Sequence, residues 1–506
     1  MEIERQFQED DNAALDAPEP DFPPGETEPE PGDVPSFFAR QPDVPEAHSD
    51  SMSQFITRTM ATVAEAELPD TGLIPRAPRT FAEIGLSKAF LTDLTLKIMH
   101  YSGTPSMAQL SKRLGLHTEI VALIVQALQE DRLVDVMSQS DLYTGNYRYR
   151  LSERGQLRVA EALERTRYAG PAPVNAEQYT SVMARLFEEP QQTTRAEIDA
   201  ALEGLVLNAQ NADAVSRALF SGKTTLLYGP SGNGKSVILE NFARALDGYS
   251  VVPYAVYAYG QVIRVFDPSL HKPLEAQTDD ESNSMKDDQN VDRRWVKIRR
   301  PAIILGAEMD RDALDLGYDP SARFYTAPAH IKAQNGVLIV DDFGRQRVTT
   351  TDLLTRWLIP LERGADTLSM ATGEKFTVPF RLQILFGTNA RVRSVADEAM
   401  LRRILYKVRI PCPDEENFGE ILRRDCENKR VGIKDDASVD YAVRKLFDEP
   451  NVQVRASYAR DLVDILIESA KFDGTKPVLD NETFDQVFTL FIAGANERDD
   501  DPDEDY

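Results

Sequence analysis

Cysteine is almost missing from this chain. Cys412 and Cys426 are the two present, and neither has a second Cys or a His at ligand spacing. A disulfide framework and a zinc site are thereby excluded, and a reducing, cytoplasmic setting is expected. Long apolar runs are missing too. No stretch approaches the ~18 to 20 apolar residues of a membrane-spanning helix, so no membrane span is expected. The opening residues Met1-Glu-Ile-Glu-Arg5 lack the basic and then apolar character of a secretory signal, which argues against export by that route. What is abundant is negative charge: 83 Asp and Glu against 57 Lys and Arg give a formal charge of −26. A hydrophobic fraction of 42% suffices for buried cores in a chain of 506 residues, and at roughly 100 to 200 residues per domain two to four domains fit.

The charge sits at the ends. Residues 1–50 hold fifteen carboxylates against Arg5 and Arg40, residues 496–506 hold seven against Arg498, and the 445 residues between carry only −7. Nine of the thirty prolines also fall within 1–50. So acidic and proline-rich a segment buries too little apolar area to offset the entropy of ordering. Residues 1–80 are therefore expected to be a disordered tail, serving solubility or docking a basic partner, and 496–506 a second acidic tail. Both would repel nucleic acid phosphates.

From Phe81 the pattern turns globular. Helical stretches over Ser87 to His100, Ser106 to Leu114 and Thr118 to Leu133 are separated by Gly103-Thr104-Pro105 and Gly115. Alternating Tyr and Arg from Tyr143 to Tyr149 through Gly145-Asn146 predict a β-hairpin, and a helix follows over Glu153 to Arg165. Three helices, a hairpin and a helix across 81–168 resemble a winged-helix domain, whose third helix commonly reads DNA. Here that helix carries Glu119, Glu130 and Asp131 against Arg132 alone, and the segment has eleven basic and ten acidic side chains. Arg148, Arg150, Arg154 and Arg158 form the one cluster suited to phosphates. Protein contact or oligomer support is the favoured reading; nucleic acid is not a favoured partner.

Gly170-Pro171-Ala172-Pro173 opens an expected linker over 169–199, and Leu202, Leu205 and Leu207 lead into the next domain. Across 200–411 short apolar strands at Thr224 to Tyr228, Val251 to Ala255, Val337 to Val340 and Leu382 to Phe386 alternate with helical patterns, the signature of a parallel α/β sheet. Beyond Pro411-Cys412-Pro413 strands are expected to cease, with helices at Glu416 to Arg424, Val439 to Phe447, Ser457 to Phe472 and Glu482 to Ile492 forming an all-α domain over 412–495. Residues 271–293 read as a polar, mostly acidic insertion.

The sharpest chemical signal is Gly229-Pro230-Ser231-Gly232-Asn233-Gly234-Lys235-Ser236, a G-x-x-x-x-G-K-[ST] loop between an apolar strand and a helix with Ile238, Leu239, Phe242 and Leu246 on one face. Glycines let backbone N–H groups turn inward around a phosphate chain, and the helix points its positive end at it. Lys235 is placed to reach the β and γ phosphates of ATP, and Ser236 to hold Mg²⁺. Val337-Leu338-Ile339-Val340-Asp341-Asp342 supplies the rest. Four buried residues would carry Asp341 to the sheet's carboxyl end as the metal carboxylate, with Asp342 as the base that orients the lytic water.

With those motifs placed, residues from about 200 to 495 resemble the AAA+ ATPases. That resemblance implies a P-loop NTPase parallel-sheet core with an all-α lid, here preceded by a winged-helix-like α+β domain. It also implies that Asn389, ending Leu382-Gln383-Ile384-Leu385-Phe386-Gly387-Thr388, is sensor 1, and that Arg402 or Arg403 of Asp397-Glu398-Ala399-Met400-Leu401-Arg402-Arg403-Ile404 is an arginine finger. Sensor 2 falls on Arg460 within Arg455-Ala456-Ser457-Tyr458-Ala459-Arg460, with Arg455 as its competitor. A narrower likeness is to MoxR-type and other helix-2-insert members. It rests on Ala333-Gln334-Asn335-Gly336-Val337-Leu338 before the metal strand, Arg345 after it, and Pro360-Leu361-Glu362-Arg363 before a hairpin over Leu368 to Val378 through Thr372-Gly373. The chain departs from the pattern at Asp342, where most relatives have Glu, and in the acidic insertion.

A finger supplied by a neighbour makes hydrolysis depend on assembly, so the resemblance implies a homo-oligomeric ring, commonly a hexamer, that remodels or activates an unidentified protein partner. Tyr257-Ala258-Tyr259-Gly260 is a candidate pore loop, or else a strand ending in a turn. The basic run from Arg293 to Arg300 is a candidate contact surface, or else solvated strand ends. Two other functions compete: a DNA-binding regulator switched by ATP, and a nucleotide-gated scaffold that barely hydrolyses it.

Overall fold

The structure, a computed structural model, describes residues 74–137, 147–188, 192–274, 291–395, 398–450 and 452–495. Residues 1–73, 138–146 with the expected Gly145-Asn146 turn, 275–290 of the acidic insertion, and 496–506 lie outside the described residues. Residues 74–80, counted above with the acidic tail, lie against the fold. Ile74 packs on its main core, Arg76 bridges Val291, and Asp292 N–H donates to the Pro75 carbonyl at 2.9 Å.

Short polar caps set the first helices. Thr80 and Ser87 accept from backbone N–H groups at the starts of α1 (Phe81–Ile84) and α2 (Lys88–Ser102). Ser106 and Gln109 form a reciprocal capping box on α3 (Met107–Leu114). Helix α4 (Thr118–Glu130) leads into β1 (Val134–Met137), which pairs antiparallel with β2 (Arg148–Leu151), and α5 (Glu153–Arg165) closes the unit. Ile98, Leu110, Ile124 and Val159 share its core, which runs on to Ala255 and Val262 of the neighbouring sheet.

The expected linker is largely folded. Val174–Asn175 forms β3 and Ala176–Glu188 forms α6, whose Tyr179, Val182, Met183 and Leu186 are buried at helical spacing. That periodicity outweighs the preceding Gly and Pro residues.

After α7 (Arg195–Leu202) and α8 (Ala209–Phe220) the chain enters β4 (Thr225–Tyr228), then α9 (Lys235–Ala245). The segment expected as the next parallel strand does something else. Tyr249–Pro253, β5, pairs antiparallel with β8 (Trp295–Arg299), while β6 (Ala255–Ala258) and β7 (Gln261–Arg264) make a hairpin turning at Tyr259 and Gly260, φ 47° and 78°. The Tyr257-to-Gly260 stretch is thus a strand ending in a turn, with Tyr259 exposed at its tip. This hairpin belongs to a mixed sheet of order β10-β11-β7-β6-β3, with β10 at Gly317–Asp319 and β11 at Phe324–Thr326.

The central sheet is wholly parallel. Its order is β16-β4-β15-β12-β9, built from β9 (Ala302–Leu305), β12 (Val337–Val340), β15 (Gln383–Thr388) and β16 (Tyr406–Arg409) around β4. Alternate residues serve opposite layers. Val337 and Ile339 pack with Ile238, Leu239 and Phe242 of α9, whereas Leu338 and Val340 join Leu353, Leu354 and Trp357. The latter three belong to α11 (Thr350–Arg363), which follows the short α10 (Ala329–Lys332) and precedes the hairpin β13 (Ala365–Ser369) and β14 (Lys375–Pro379). Two short helices, α12 (Val392–Val395) and α13 (Glu398–Leu401), lie between β15 and β16.

The last domain has its own core, including Phe418, Leu446, Leu462 and Phe484. It contains α14 (Glu415–Asn428), α15 (Asp436–Phe447), α16 (Ser457–Asp473) and α17 (Asn481–Ala495). A two-residue parallel pair, Gly432–Ile433 with Val478–Leu479, qualifies the expectation that strands cease after 413. Among the described residues no helix is long and apolar enough to cross a membrane.

The basic run from Arg293 to Arg300 is solvated only in part: Arg293 and Lys297 are exposed, whereas Arg294 and Arg300 are buried. Arg294 and Asp292 are each 2% exposed and paired at 2.8 Å, and Arg294 Nη1 also donates to the carbonyls of Ile84 and Pro173. One guanidinium thus joins α1, β3 and the strand β8 it precedes. Breaking such a pair from one side leaves a buried charge alone, at ~3–5 kcal/mol. Arg294→Met is expected to lower unfolding free energy by about that much in urea titration, and adding Asp292→Leu to recover a large part of it.

Candidate functional site

The glycine loop leaves β4 between β15 and β16, at the carboxyl edge of the sheet. Gly229 has φ 136°, and a Cβ there would lie 2.3 Å from the Ile410 carbonyl oxygen. Gly232 has φ 77°, and a Cβ would lie 2.5 Å from Ser457 Oγ. Both positions thus exclude side chains for two reasons, a left-handed backbone and close neighbours. Gly234 caps α9 with no side-chain hydrogen bond, and a Cβ there would meet nothing within 4 Å. The first N–H groups of α9 consequently have no side-chain cap beside open space, the condition for receiving an anion.

Lys235 is 5% exposed. Its Nζ donates to the carbonyls of Gly229 at 2.8 Å and Pro230 at 2.7 Å. Burial pushes its pKa down to about 8, against the attraction of Asp341 and Asp342. Ser236, half-buried, follows in the first turn of α9.

The two acids stand one strand away from β15. Asp341 N–H donates to the Leu305 carbonyl, and its Oδ1 accepts from Asp342 N–H at 3.0 Å. Asp342 takes φ 48°, a left-handed backbone uncommon for a non-glycine residue. Its carboxylate accepts from Asn389 Nδ2 at 3.0 Å. The structure therefore brings Lys235, Asp341, Asp342 and Asn389 together from three strands. Two residues that sequence reasoning missed hold this arrangement. Gln346 Nε2 donates to the carbonyls of Asp341 at 2.8 Å and Asp342 at 3.2 Å. Gly387 leaves room for the acid, since a Cβ there would lie 2.7 Å from Asp341 Oδ1 and 2.9 Å from Leu239 Cδ1. Neither carries a sequence signal of its own, because each acts through a turn or strand that only folding brings near.

The helical domain reaches the loop through three consecutive residues. Arg455 Nη1 donates to Ser231 Oγ at 2.7 Å, Ala456 N–H to Asn233 Oδ1 at 3.0 Å, and Ser457 N–H to the Gly232 carbonyl at 2.8 Å. Asn233 Nδ2 also lies 3.4 Å from Cys412 Sγ, in the chain joining the two domains. Arg455 Nε is buried without a partner. Arg460 is elsewhere: it is exposed and pairs weakly with its neighbour Asp461 at 3.4 Å. The residue against the loop is thus Arg455, because α16 begins only at Ser457 and the turn before it, not the helix face, meets the phosphate loop.

Arg402 and Arg403 do not approach this site in their own chain. Arg402 is exposed and bonds Glu398 at 2.6 Å. Arg403 bonds Glu362 at 3.0 Å and lines a cavity with Thr224, Gly336 and Gln383, at the opposite, amino end of the strands.

In the unit from α1 to α5, three of the four arginines singled out from the sequence have partners, and Arg154 is exposed. Arg148 Nη1 donates to the Thr104 carbonyl, Arg150 lies 4.0 Å from Asp135, and Arg158 pairs with Asp93 and Glu161. On α4 the exposed residues include Glu119, Leu123, Gln126 and Glu130, with no cation among them.

Among the described residues no three His, Cys, Asp or Glu side chains are grouped to hold a metal ion. Mg²⁺ is typically held by one or two protein oxygens together with substrate phosphates. The open side of Gly234, the N-terminus of α9 without a side-chain cap and the orphaned Arg455 Nε fit a polyphosphate, and Ser236 and Asp341 are oxygen donors at the loop that could hold an accompanying metal.

Three comparisons bear on this site. A family profile described as a domain of unknown function (DUF8689) matches residues 414–489, the helical domain. No curated protein matches the sequence. Among solved structures the chain is similar to the Thermotoga maritima RuvB Holliday junction branch migration motor, at 11% identity and TM-score 0.33, covering 56% of this chain and 70% of that one. It is similar also to two variants of that protein, at 12% and 14% identity, TM-scores 0.34 and 0.31, covering 57% of this chain and 72% and 71% of theirs. Overlap so slight leaves the fold to be judged on its own geometry. A parallel sheet with a glycine loop and helix at its carboxyl edge is consistent with a P-loop NTPase core.

The closeness of Gly387 to Asp341 yields a test. Gly387→Ala is expected to cost about 1–3 kcal/mol of stability as an overpacked site, read by urea unfolding; a loss no larger than that of a surface Gly→Ala control would mean the strand yields freely.

Proposed function

We propose that the chain is an ATP-binding and ATP-hydrolysing protein of the AAA+ type that works as a homo-oligomeric ring on a protein partner. One observation carries the reading: the Asn389 amide meets the Asp342 carboxylate at 3.0 Å, beside the strand-end acid Asp341 and the loop lysine. Three sequence-distant segments thereby converge where a γ-phosphate and its attacking water would lie. When bound, Mg·ATP would supply the leaving group and the metal's charge. Backbone N–H groups from Gly232 to Lys235 and the Lys235 amine hold the phosphates, Ser236 and Asp341 hold the metal, Asp342 orients water, and Asn389 orients Asp342. Arg455 takes the sensor role from the helical domain, in place of Arg460.

The exposure of Arg402, and the position of Arg403 away from its own loop, support a finger acting on a neighbouring subunit, which a closed head-to-tail ring provides. The paired arginines of the winged-helix-like unit favour protein contact over DNA reading. The scaffold alternative rests on Asp342 itself, one methylene shorter than the Glu that most relatives carry at this position.

Lys235→Ala is expected to abolish ATP turnover in a phosphate-release assay, and normal turnover would defeat the assignment. Mixing Asp342→Asn subunits with subunits carrying Arg402→Ala and Arg403→Ala is expected to restore activity at some interfaces; no restoration at any ratio would exclude a finger in trans. The pH dependence follows from Lys235. With its amine titrating near 8 in the free chain against an ordinary 10.5, the charged form dominates below pH 8, and phosphates stabilise it. Binding should therefore take up a proton as pH rises above 8, with affinity falling toward pH 10; calorimetry in buffers of different ionisation enthalpy checks the uptake.

A further inference from the structure

The parallel sheet has a second end. Under the amino ends of β4, β12 and β15, opposite the glycine loop, lies a cavity of about 710 Å³, well inside the ~300–1,000 Å³ range of small-molecule sites. Lys223, Arg300, Arg381 and Arg403 line it against a single carboxylate, Glu362, which is taken by Arg403. Among the described residues, Lys223, Arg300 and Arg381 therefore have no lining acid of their own, although Arg381 donates to the Phe187 carbonyl and Glu197 acts on Arg300 from outside the lining.

The same wall holds unspent hydrogen-bonding capacity. Among the described residues nine buried side-chain polar atoms have no partner, and five of them belong to residues of this cavity: Arg300 Nε and Nη1, Asn335 Nδ2, Gln383 Oε1 and Thr193 Oγ1. A buried polar group left alone costs ~1–3 kcal/mol, so five around one cavity mark a place that a ligand completes rather than a random shortfall. The groups are also held in position. Gln383 Nε2 donates to the Leu219 carbonyl at 3.2 Å, which fixes its amide. Asn335 stands at φ 61° with its N–H on the Arg381 carbonyl. Arg300 is 8% exposed. Phe220, Leu358, Phe380 and Leu405 supply an apolar part of the wall.

We propose that this cavity is a second binding site, for a small organic anion with a phosphoryl or carboxylate group and an apolar or aromatic body. The anionic group lies toward Lys223 and the Arg300 guanidinium, with the apolar body against Phe220, Leu358 and Phe380. Occupancy does not depend on the glycine loop, so the site stands whether or not the loop hydrolyses ATP.

The test uses the full chain carrying Lys235→Ala, which removes the loop's own phosphate contact, titrated calorimetrically with inorganic pyrophosphate, adenosine monophosphate and citrate. Saturable one-to-one binding of at least one probe is expected, weakened about tenfold or more by Lys223→Glu. Preference for pyrophosphate or citrate assigns a phosphoryl or carboxylate group, and preference for the monophosphate assigns an aromatic body. Arg300→Met should weaken the same probe. In the chain without cavity substitutions, the bound probe should slow amine acylation of Lys223 but not of exposed Lys112, a readout that needs no cavity variant to fold. Absence of saturable binding by all three probes, or binding that neither Lys223→Glu nor acylation detects, overturns the proposal.

Discussion

Burial of short strands on both faces is the constraint from which the rest of the architecture follows. Val337, Leu338, Ile339 and Val340 are each 0% exposed, which requires a helical layer on either side and therefore crossover connections. Crossovers make neighbouring strands parallel. Parallel strands end at the same edge, and so β4, β12 and β15 deliver a glycine loop, a pair of acids and an amide to one place although 160 residues separate Gly229 from Asn389. The chemistry of the site is a consequence of sheet direction before it is a consequence of any side chain.

The helical domain adds a second constraint. Its three consecutive contacts, from Arg455 to Ser457, fall on three consecutive loop residues, Ser231, Gly232 and Asn233. The order is crossed, with Ala456 on Asn233 and Ser457 on Gly232, so the turn before α16 wraps the loop rather than running alongside it. The contact at Gly232 leaves no room for a side chain, so the spacing between the domains is set by the width of a backbone.

How far this was legible in the sequence depended on whether a signal was local. The strand Val337–Val340 and the long helices α14 to α17 could be read because their burial leaves a continuous or periodic apolar pattern. The edge strand β16 could not, since it is partly exposed and sets Tyr, Lys and Arg around a single Val, and β9, though wholly apolar, is only four residues long and half open to solvent. The run at Val251 was legible as a strand but not as an antiparallel partner of β8, because hydrophobicity does not state a direction. Among site residues, the loop, Asp341, Asp342 and Asn389 sit on motifs with fixed spacing. Arg455 and Arg460 are separated by less than two helical turns, and only the place where α16 begins distinguishes them. Gln346 and Gly387 act across the fold, and no neighbouring residue announces either.

Lys235, folded back onto the Gly229 and Pro230 carbonyls, ties the loop to itself through its own side chain. The same residue therefore braces the backbone around it, so that replacing it removes a strut as well as a positive charge.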